Sequence, residues 1–163
     1  MLKQVILHID ISQFFVSVER LTHPEYNGKI VICGPDAPRS VVCSADYIAR
    51  KEYGIKAGMP IWKVKQLLGQ AVNNTIFTEV HFEEYQKYSF KFKNIIKQFG
   101  PVESFGLDEC FVDVTKYLQN QSNFTELNEI EQREQAILVA EHIKALIKQQ
   151  IQLDVSIGIS DQK

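Results

Sequence analysis

Apolar positions recur along this chain at two different periods, and the switches between them mark out the elements. "VILHID" (5–10) is a short apolar run with β character, and "SQFFVSVERL" (12–21) changes to helical spacing, with Phe14, Val18 and Leu21 on one stripe and Ser12 placed to cap it. "IVICG" (30–34) and "SVVCS" (40–44) predict two strands joined by "PDAPR" as a hairpin-like pair. "ADYIARKEYG" (45–54) predicts a helix ending at Gly54, and Pro60 opens another through "IWKVKQLL". "HFEEYQKYSFKFKNIIKQFGP" (81–101) predicts a long amphipathic helix. Tyr85, Tyr88, Phe92, Ile95, Ile96 and Phe99 form its core stripe, Gly100 and Pro101 stop it, and its lysines form a solvated face. "VESFGLDECFVDV" (102–114) predicts two strands around a tight Gly-Leu turn. The Asn/Gln-rich stretch 115–132 predicts a loop, "REQAILVAEHIKALIKQQ" (133–150) a helix, and "LDVSIGIS" (153–160) a last strand.

Setting aside about residues 14–78 as an insert leaves strand, helix, two strands, helix, strand. That is the βαββαβ pattern of a ferredoxin-like α+β fold. The expected organisation is a ferredoxin-like domain of residues 1–13 and 79–163, carrying a small α/β subdomain at 14–78.

This topology gives Asp108 and Glu109, two adjacent carboxylates inside an apolar run, a reason to be there. The first strand, which ends at Asp10, lies beside the strands of the hairpin, so three carboxylates can converge at one end of the sheet. Carboxylates brought together repel and are costly to bury, so they call for a cation. Hard divalent ions with oxygen ligands suit them, Mg²⁺ first and Mn²⁺ as a substitute. A pair of such ions serves phosphoryl transfer, which asks the protein mainly for positioning and charge. Taken alone, Asp108 and Glu109 fit a solvated hairpin tip equally well.

Composition narrows the class. The chain has 163 residues, 45% hydrophobic, with a net charge of −2, which suits one domain or a domain with a small insert. The charge excludes a strongly basic nucleic-acid binder, so any such role must be local. Cys33, Cys43 and Cys110 have no metal-ligand spacing and read as buried thiols of a reducing compartment. The four histidines are scattered and read as structural. No transmembrane run or signal peptide is indicated, and a cytoplasmic location is expected.

"HIDISQFFVSVE", "SADYIARKEYGIKAGMP", "GLDECFVDVT" and "SIGIS" occur in one order. Together they resemble the Y-family translesion DNA polymerases, closest to the DNA polymerase IV and UmuC-like branch, over nearly the whole chain. The resemblance implies that the ferredoxin-like part is the palm and the insert the fingers, with the thumb and little-finger domains absent from this chain. Asp10, Asp108 and Glu109 match the metal-binding catalytic carboxylates, and Ile11 matches the residue offering a backbone carbonyl to the metal. Phe15 matches the steric gate that excludes a ribose 2′-hydroxyl, and Phe14 beside it joins the nucleotide-binding set. Ser44, Tyr47 and Arg50 match the residues holding the incoming triphosphate, Tyr47 and Arg50 sharing a helix face at i, i+3. Lys163 matches a lysine that contacts the same triphosphate.

The implied activity is template-directed addition of a dNTP to a primer 3′-hydroxyl with two Mg²⁺ ions, in DNA repair or damage tolerance. The implied partners are primer–template DNA, a dNTP and a sliding clamp reached through the C-terminal region. Extension by this chain alone is expected to be weak or absent. The alternatives are a polymerase-like interaction module without catalysis, which the presence of all three acids disfavours, and a nucleotidyl cyclase, which leaves Phe15 and "ADYIARK" unexplained. The departures are Ser12 where the family often has a second acid, Gly106 where serine is usual, and Cys110 and Phe111 in place of alanine and tyrosine. They touch the hairpin turn and leave the acid set intact.

Overall fold

The computed structural model describes residues 4–121 and 123–161. Its chain divides into two compact units, Met1–Ser12 with Gln86–Lys163, and Gln13–Tyr85.

The first unit is built on four strands: β1 (Ile6–Ile11), β5 (Val102–Phe105), β6 (Glu109–Asp113) and β7 (Val155–Ser160), in the spatial order β5-β6-β1-β7 with every pair antiparallel. The helices α4 (Phe82–Ile96) and α6 (Glu129–Ile151) connect them, giving the ferredoxin-like order. Strand alternation explains the mixed sequence. Leu7, Ile9, Cys110 and Val112 are buried, and the buried stripes of α4 (Phe92, Ile95, Ile96) and α6 (Ala136, Val139, Ile143, Ile147) cover that face. His8, Asp10, Glu109, Phe111 and Asp113 occupy the alternate positions and are only partly buried.

Gly100 ends the α4 segment where no other residue fits. Its φ is +154°, and a Cβ there would stand 1.9 Å from the Asp113 carbonyl oxygen. Gly106 opens the β5–β6 turn at φ +67°, in the left-handed region that glycine adopts freely.

The second unit has a three-stranded sheet, β3 (Ser44–Ala45), β2 (Ile30–Cys33) and β4 (Thr75–Thr78), with β2 antiparallel to β3 and parallel to β4. β2 is the middle strand, and all four of its residues are buried. Ile30 and Ile32 pack with Ala49 of α2 (Tyr47–Tyr53) and Ile61, Val64 and Leu68 of α3 (Ile61–Leu68). Val31 and Cys33 pack with Val16 of α1 (Phe14–Thr22). A strand covered on both faces reads as an unbroken apolar run, which is what "IVIC" is.

Several boundaries differ from the expectation. α1 begins at Phe14 with Gln13, not Ser12, in the capping position, and Gln13 takes a left-handed φ of 47°. The strand expected at 40–44 shrinks to Ser44–Ala45, because residues ahead of it pair instead with the loop before α3, as in the Val41–Pro60 bridge. The stretch 115–132 holds a short helix, α5 (Thr115–Gln119), and the start of α6. Asn128 caps α6 reciprocally with Glu131, and this begins the helix four residues before the apolar periodicity does.

Candidate active site

The carboxylates of the first unit meet through strand register. Asp10 lies opposite Glu109 in the β1–β6 pair, and the Ile11 N–H donates to the Asp108 carbonyl at 2.9 Å. Asp108 is in the turn and Glu109 is the first residue of β6, so neither acid is forced into the core that Cys110 and Val112 enter. α4 pins the turn from the side. Ser89 donates to the Leu107 carbonyl, and Lys93 Nζ donates to the Gly106 carbonyl at 2.7 Å.

The acids act on one another. Partial burial, then the charges of Asp108 and Glu109, push the Asp10 carboxyl above its ordinary 3.8, with His8 working in the opposite direction. His8 sits two residues before Asp10 on the same strand face, and its Nε2 meets Glu109 Oε1 at 2.6 Å. Its ring also lies against Phe111, with centroids 4.8 Å apart. Of the residues sequence reasoning missed, His8 stands nearest the chemistry. Its signal was the i, i+2 spacing to Asp10, which places both on one strand face.

Among the described residues no group of three His, Cys, Asp or Glu side chains is gathered so as to hold a metal ion, and Glu109 is turned to His8. The donor chemistry nevertheless fits a hard divalent cation. Three carboxylates sit on adjoining segments, and the mutual repulsion on Asp10 is the kind a bound cation relieves.

In the second unit Phe15 lies half-buried, its ring stacked on Tyr85 with centroids 4.3 Å apart and planes 18° from parallel. Phe14 is buried, 3% exposed, with its ring edge to Tyr85. Tyr85 donates its hydroxyl to Glu19, which is 1% exposed and also paired with His81 Nδ1 at 2.8 Å.

α2 carries Tyr47 and Arg50, both exposed. Its start is held by Asp46, which accepts from the Ala49 N–H at 2.8 Å, the Val31 N–H at 3.0 Å and Arg20 Nη2 at 2.9 Å. A short acid just ahead of the helical spacing is the sequence signal of such a cap, and Asp46 has that place. The Tyr47 N–H donates to Gln13 Oε1. An open pocket of about 400 Å³ has Ser44, Arg50 and Lys56 in its lining, and Lys56 carries no spacing signal that marks it in the sequence. Lys163 lies outside the described residues.

The family model described as impB/mucB/samB matches residues 9–163. This chain belongs to that family. DNA polymerase IV of Dehalococcoides mccartyi (strain BAV1) is 34% identical over 160 residues, covering 97% of this chain and 37% of the relative. DNA polymerase IV of Ureaplasma parvum serovar 3 is 34% identical over 163 residues, covering 99% and 41%. Among solved structures, DinB from Sulfolobus solfataricus superposes with a TM-score of 0.81 at 28% identity, over 98% of this chain and 42% of that one. An insertion ternary complex of Dbh DNA polymerase gives 0.81 at 27% identity, over 98% and 43%. The relatives are Y-family polymerases, and the chain spans about two fifths of their length. Among the described residues no helix is long and apolar enough to cross a membrane.

Proposed function

We propose that this chain is the catalytic palm and fingers part of a translesion DNA polymerase, adding template-directed dNTPs to a primer 3′-hydroxyl and releasing pyrophosphate, in DNA repair or damage tolerance. Its natural setting is the cytoplasm, with primer–template DNA as partner and a sliding clamp engaged through C-terminal polymerase domains. The observation that carries the reading is the register that sets Asp10 opposite Glu109, with Asp108 bonded through its carbonyl to the next residue of β1.

Asp10, Asp108, Glu109 and the carbonyl of Ile11 would hold two Mg²⁺ ions, for which Mn²⁺ substitutes. Such ions supply charge neutralisation and a lowered hydroxyl pKa when bound. The protein's own share is placement. β1 and β6 hold the acids in a fixed register, and His8 keeps the Glu109 carboxylate on the Asp10 face. Ser44, Tyr47 and Arg50 bind the triphosphate, joined by Lys163 as the resemblance implies. Arg50 and Lys56 offset its negative charge. Phe14, buried against Phe15 and Tyr85, supports the nucleotide site from behind, and the Phe15 ring excludes a ribose 2′-hydroxyl by clash.

Equilibrium binding of a dNTP in Mn²⁺ tests this. The wild-type chain should bind, and binding should fall at least about tenfold in Asp108→Ala or when the metal is chelated. Binding that ignores both would leave the acids as a solvated hairpin tip. Primer extension by the chain itself should be weak or absent.

A further inference from the structure

The C-terminal parts of α4 and α6 carry a charge that the rest of the chain does not. Residues 86–98 and 142–151 contain six lysines, Lys87, Lys91, Lys93, Lys97, Lys144 and Lys148, and no acid, a local balance of +6 (6 − 0) against −2 for the whole chain. Lys93 bonds to the Gly106 carbonyl at 2.7 Å and Lys148 pairs with Asp154 at 3.0 Å, while Lys87, Lys91, Lys97 and Lys144 are exposed. Lysines near a helix C-terminus answer the helix dipole, but that effect is confined to the last turn. Lys87 and Lys91 lie earlier in α4 and Lys144 earlier in α6, so the dipole does not account for them.

An open groove of about 320 Å³ lies among these lysines, lined from both helices. Phe90 and Ile151 supply its apolar surface, Asn94, Gln98 and Gln150 its amides, and Lys91 its charge. Phe90 is 66% exposed, although Phe92 two residues on is wholly buried in the core. Phe90, Asn94 and Gln98 follow one another at i, i+4, Lys87 stands three residues before Phe90, and Lys91 three before Asn94. An aromatic ring, amides and cations therefore share one face of α4. Nothing in the proposed reaction uses that face. α4 and α6 cover the side of the sheet that Leu7, Ile9, Cys110 and Val112 enter, whereas Asp10 and Glu109 occupy the alternate positions.

We propose that this groove is the docking site of an acidic peptide segment of a partner protein, anchored by one large apolar side chain beside Phe90. The charge selects the partner: six lysines without an acid complement a segment rich in Asp or Glu and repel a basic one. The groove selects the form. Its apolar surface takes one anchor side chain, and the amides of Asn94, Gln98 and Gln150 offer donors and acceptors to an extended peptide backbone. A sugar–phosphate backbone would meet the lysines but has no apolar side chain to cover Phe90. The proposal stands independently of the polymerase reading, and a partner held here leaves the acid-bearing face of the sheet open.

The test titrates the whole chain into a fluorescein-labelled peptide of about a dozen residues, Gly, Asp and Glu around a central Phe, and follows anisotropy. The comparison probes are the same peptide with Ser for Phe and an oligo(dT) of equal length. The Phe peptide should bind with a Kd below about 1 mM, at least about fivefold tighter than either comparison probe, and more weakly as salt rises. Phe90→Ser should lose at least about fivefold in affinity, and Lys91→Gln/Lys97→Gln should bind more weakly with a shallower salt dependence. Thermal unfolding of Phe90→Ser should match wild type, because the side chain is exposed. Backbone amide shifts on adding the peptide should gather at residues 87–98 and 150–151. Absence of binding, equal binding of the Ser peptide (attraction of any polyanion), equal or tighter binding of oligo(dT) (a nucleic-acid surface), unchanged affinity in Phe90→Ser, amide shifts centred elsewhere, or concentration-dependent sedimentation abolished by Phe90→Ser (a second copy of the chain) would each overturn the proposal.

Discussion

Phe15 lies face to face on Tyr85, and the hydroxyl of Tyr85 is tied to the buried carboxyl of Glu19. The ring proposed to discriminate sugars therefore rests on a second ring that cannot tilt without breaking a buried hydrogen bond. Phe15→Ala removes the proposed barrier and should bring rNTP and dNTP binding to within about twofold of each other, with dNTP affinity retained. Tyr85→Phe keeps the stack but takes one donor from Glu19. It should cost roughly 1–3 kcal/mol, a fall in Tm of about 2–10 °C. Competition binding checks the first and thermal unfolding the second.

Asp10 should be stabilising to lose when no metal is present. Its raised pKa means that the fold favours the protonated carboxyl, so ionising it costs stability. That cost is absent well below pH 3.8, where the group is neutral folded and unfolded, and complete above the shifted pKa. Asp10→Asn should therefore raise Tm at neutral pH in chelator by no more than about 2 °C, since partly exposed charges are screened. The gain should vanish as the pH falls through 3.8. Added Mn²⁺ should reverse the order by stabilising the wild type more.

The thiols should differ in reactivity. Burial, then the nearby Glu19, pushes the Cys33 thiol up to about 12, and burial does the same for Cys110. At pH 8 each holds about one part in ten thousand as thiolate. Cys43 is raised as well, also by burial, but is only half-buried. A disulfide reagent at pH 8 should modify Cys43 first and leave Cys33 and Cys110 until the chain is unfolded. Mass mapping of the labelled peptides decides it.

Gly100→Ala should be among the most disruptive small substitutions in the chain. The new Cβ meets backbone, the Asp113 carbonyl, which cannot swing aside as a side chain would. A loss of roughly 3 kcal/mol or more is expected, read as a large fall in Tm or as insoluble expression.

Asn128→Ala should cost about 0.5–2 kcal/mol by removing the cap of α6, and this case shows where sequence reading ran short. Asn128 and Glu131 exchange backbone and side-chain hydrogen bonds. Both lie in a polar stretch where no apolar period draws attention, so the start of the helix read as loop. β4 was missed for the opposite reason. Its four residues are too few to show a period, and its parallel pairing to β2 is set by tertiary contact. What was legible had local causes: the ferredoxin-like order from the succession of periods, the core stripe of α4 from its spacing, and the break before β5 at Gly100–Pro101, although α4 itself ends at Ile96, four residues before that glycine. The nearness of Asp10 to Asp108 and Glu109 followed from topology, because residues about 100 apart meet only through strand register. The His8–Glu109 bond, the Arg20–Asp46 pair and the Phe15–Tyr85 stack depend on side-chain directions that no spacing rule supplies.

The central claim is that Asp10, Asp108 and Glu109 together hold divalent ions for a nucleotide. Titration of Mn²⁺ into the chain, followed by loss of the free-ion paramagnetic resonance signal, tests it most directly. Uptake should be weak for the chain alone, rise to about two ions per chain when a dNTP is added, and be lost in both Asp10→Asn and Asp108→Asn. Uptake that is absent with dNTP present, or that survives both substitutions, would contradict the account.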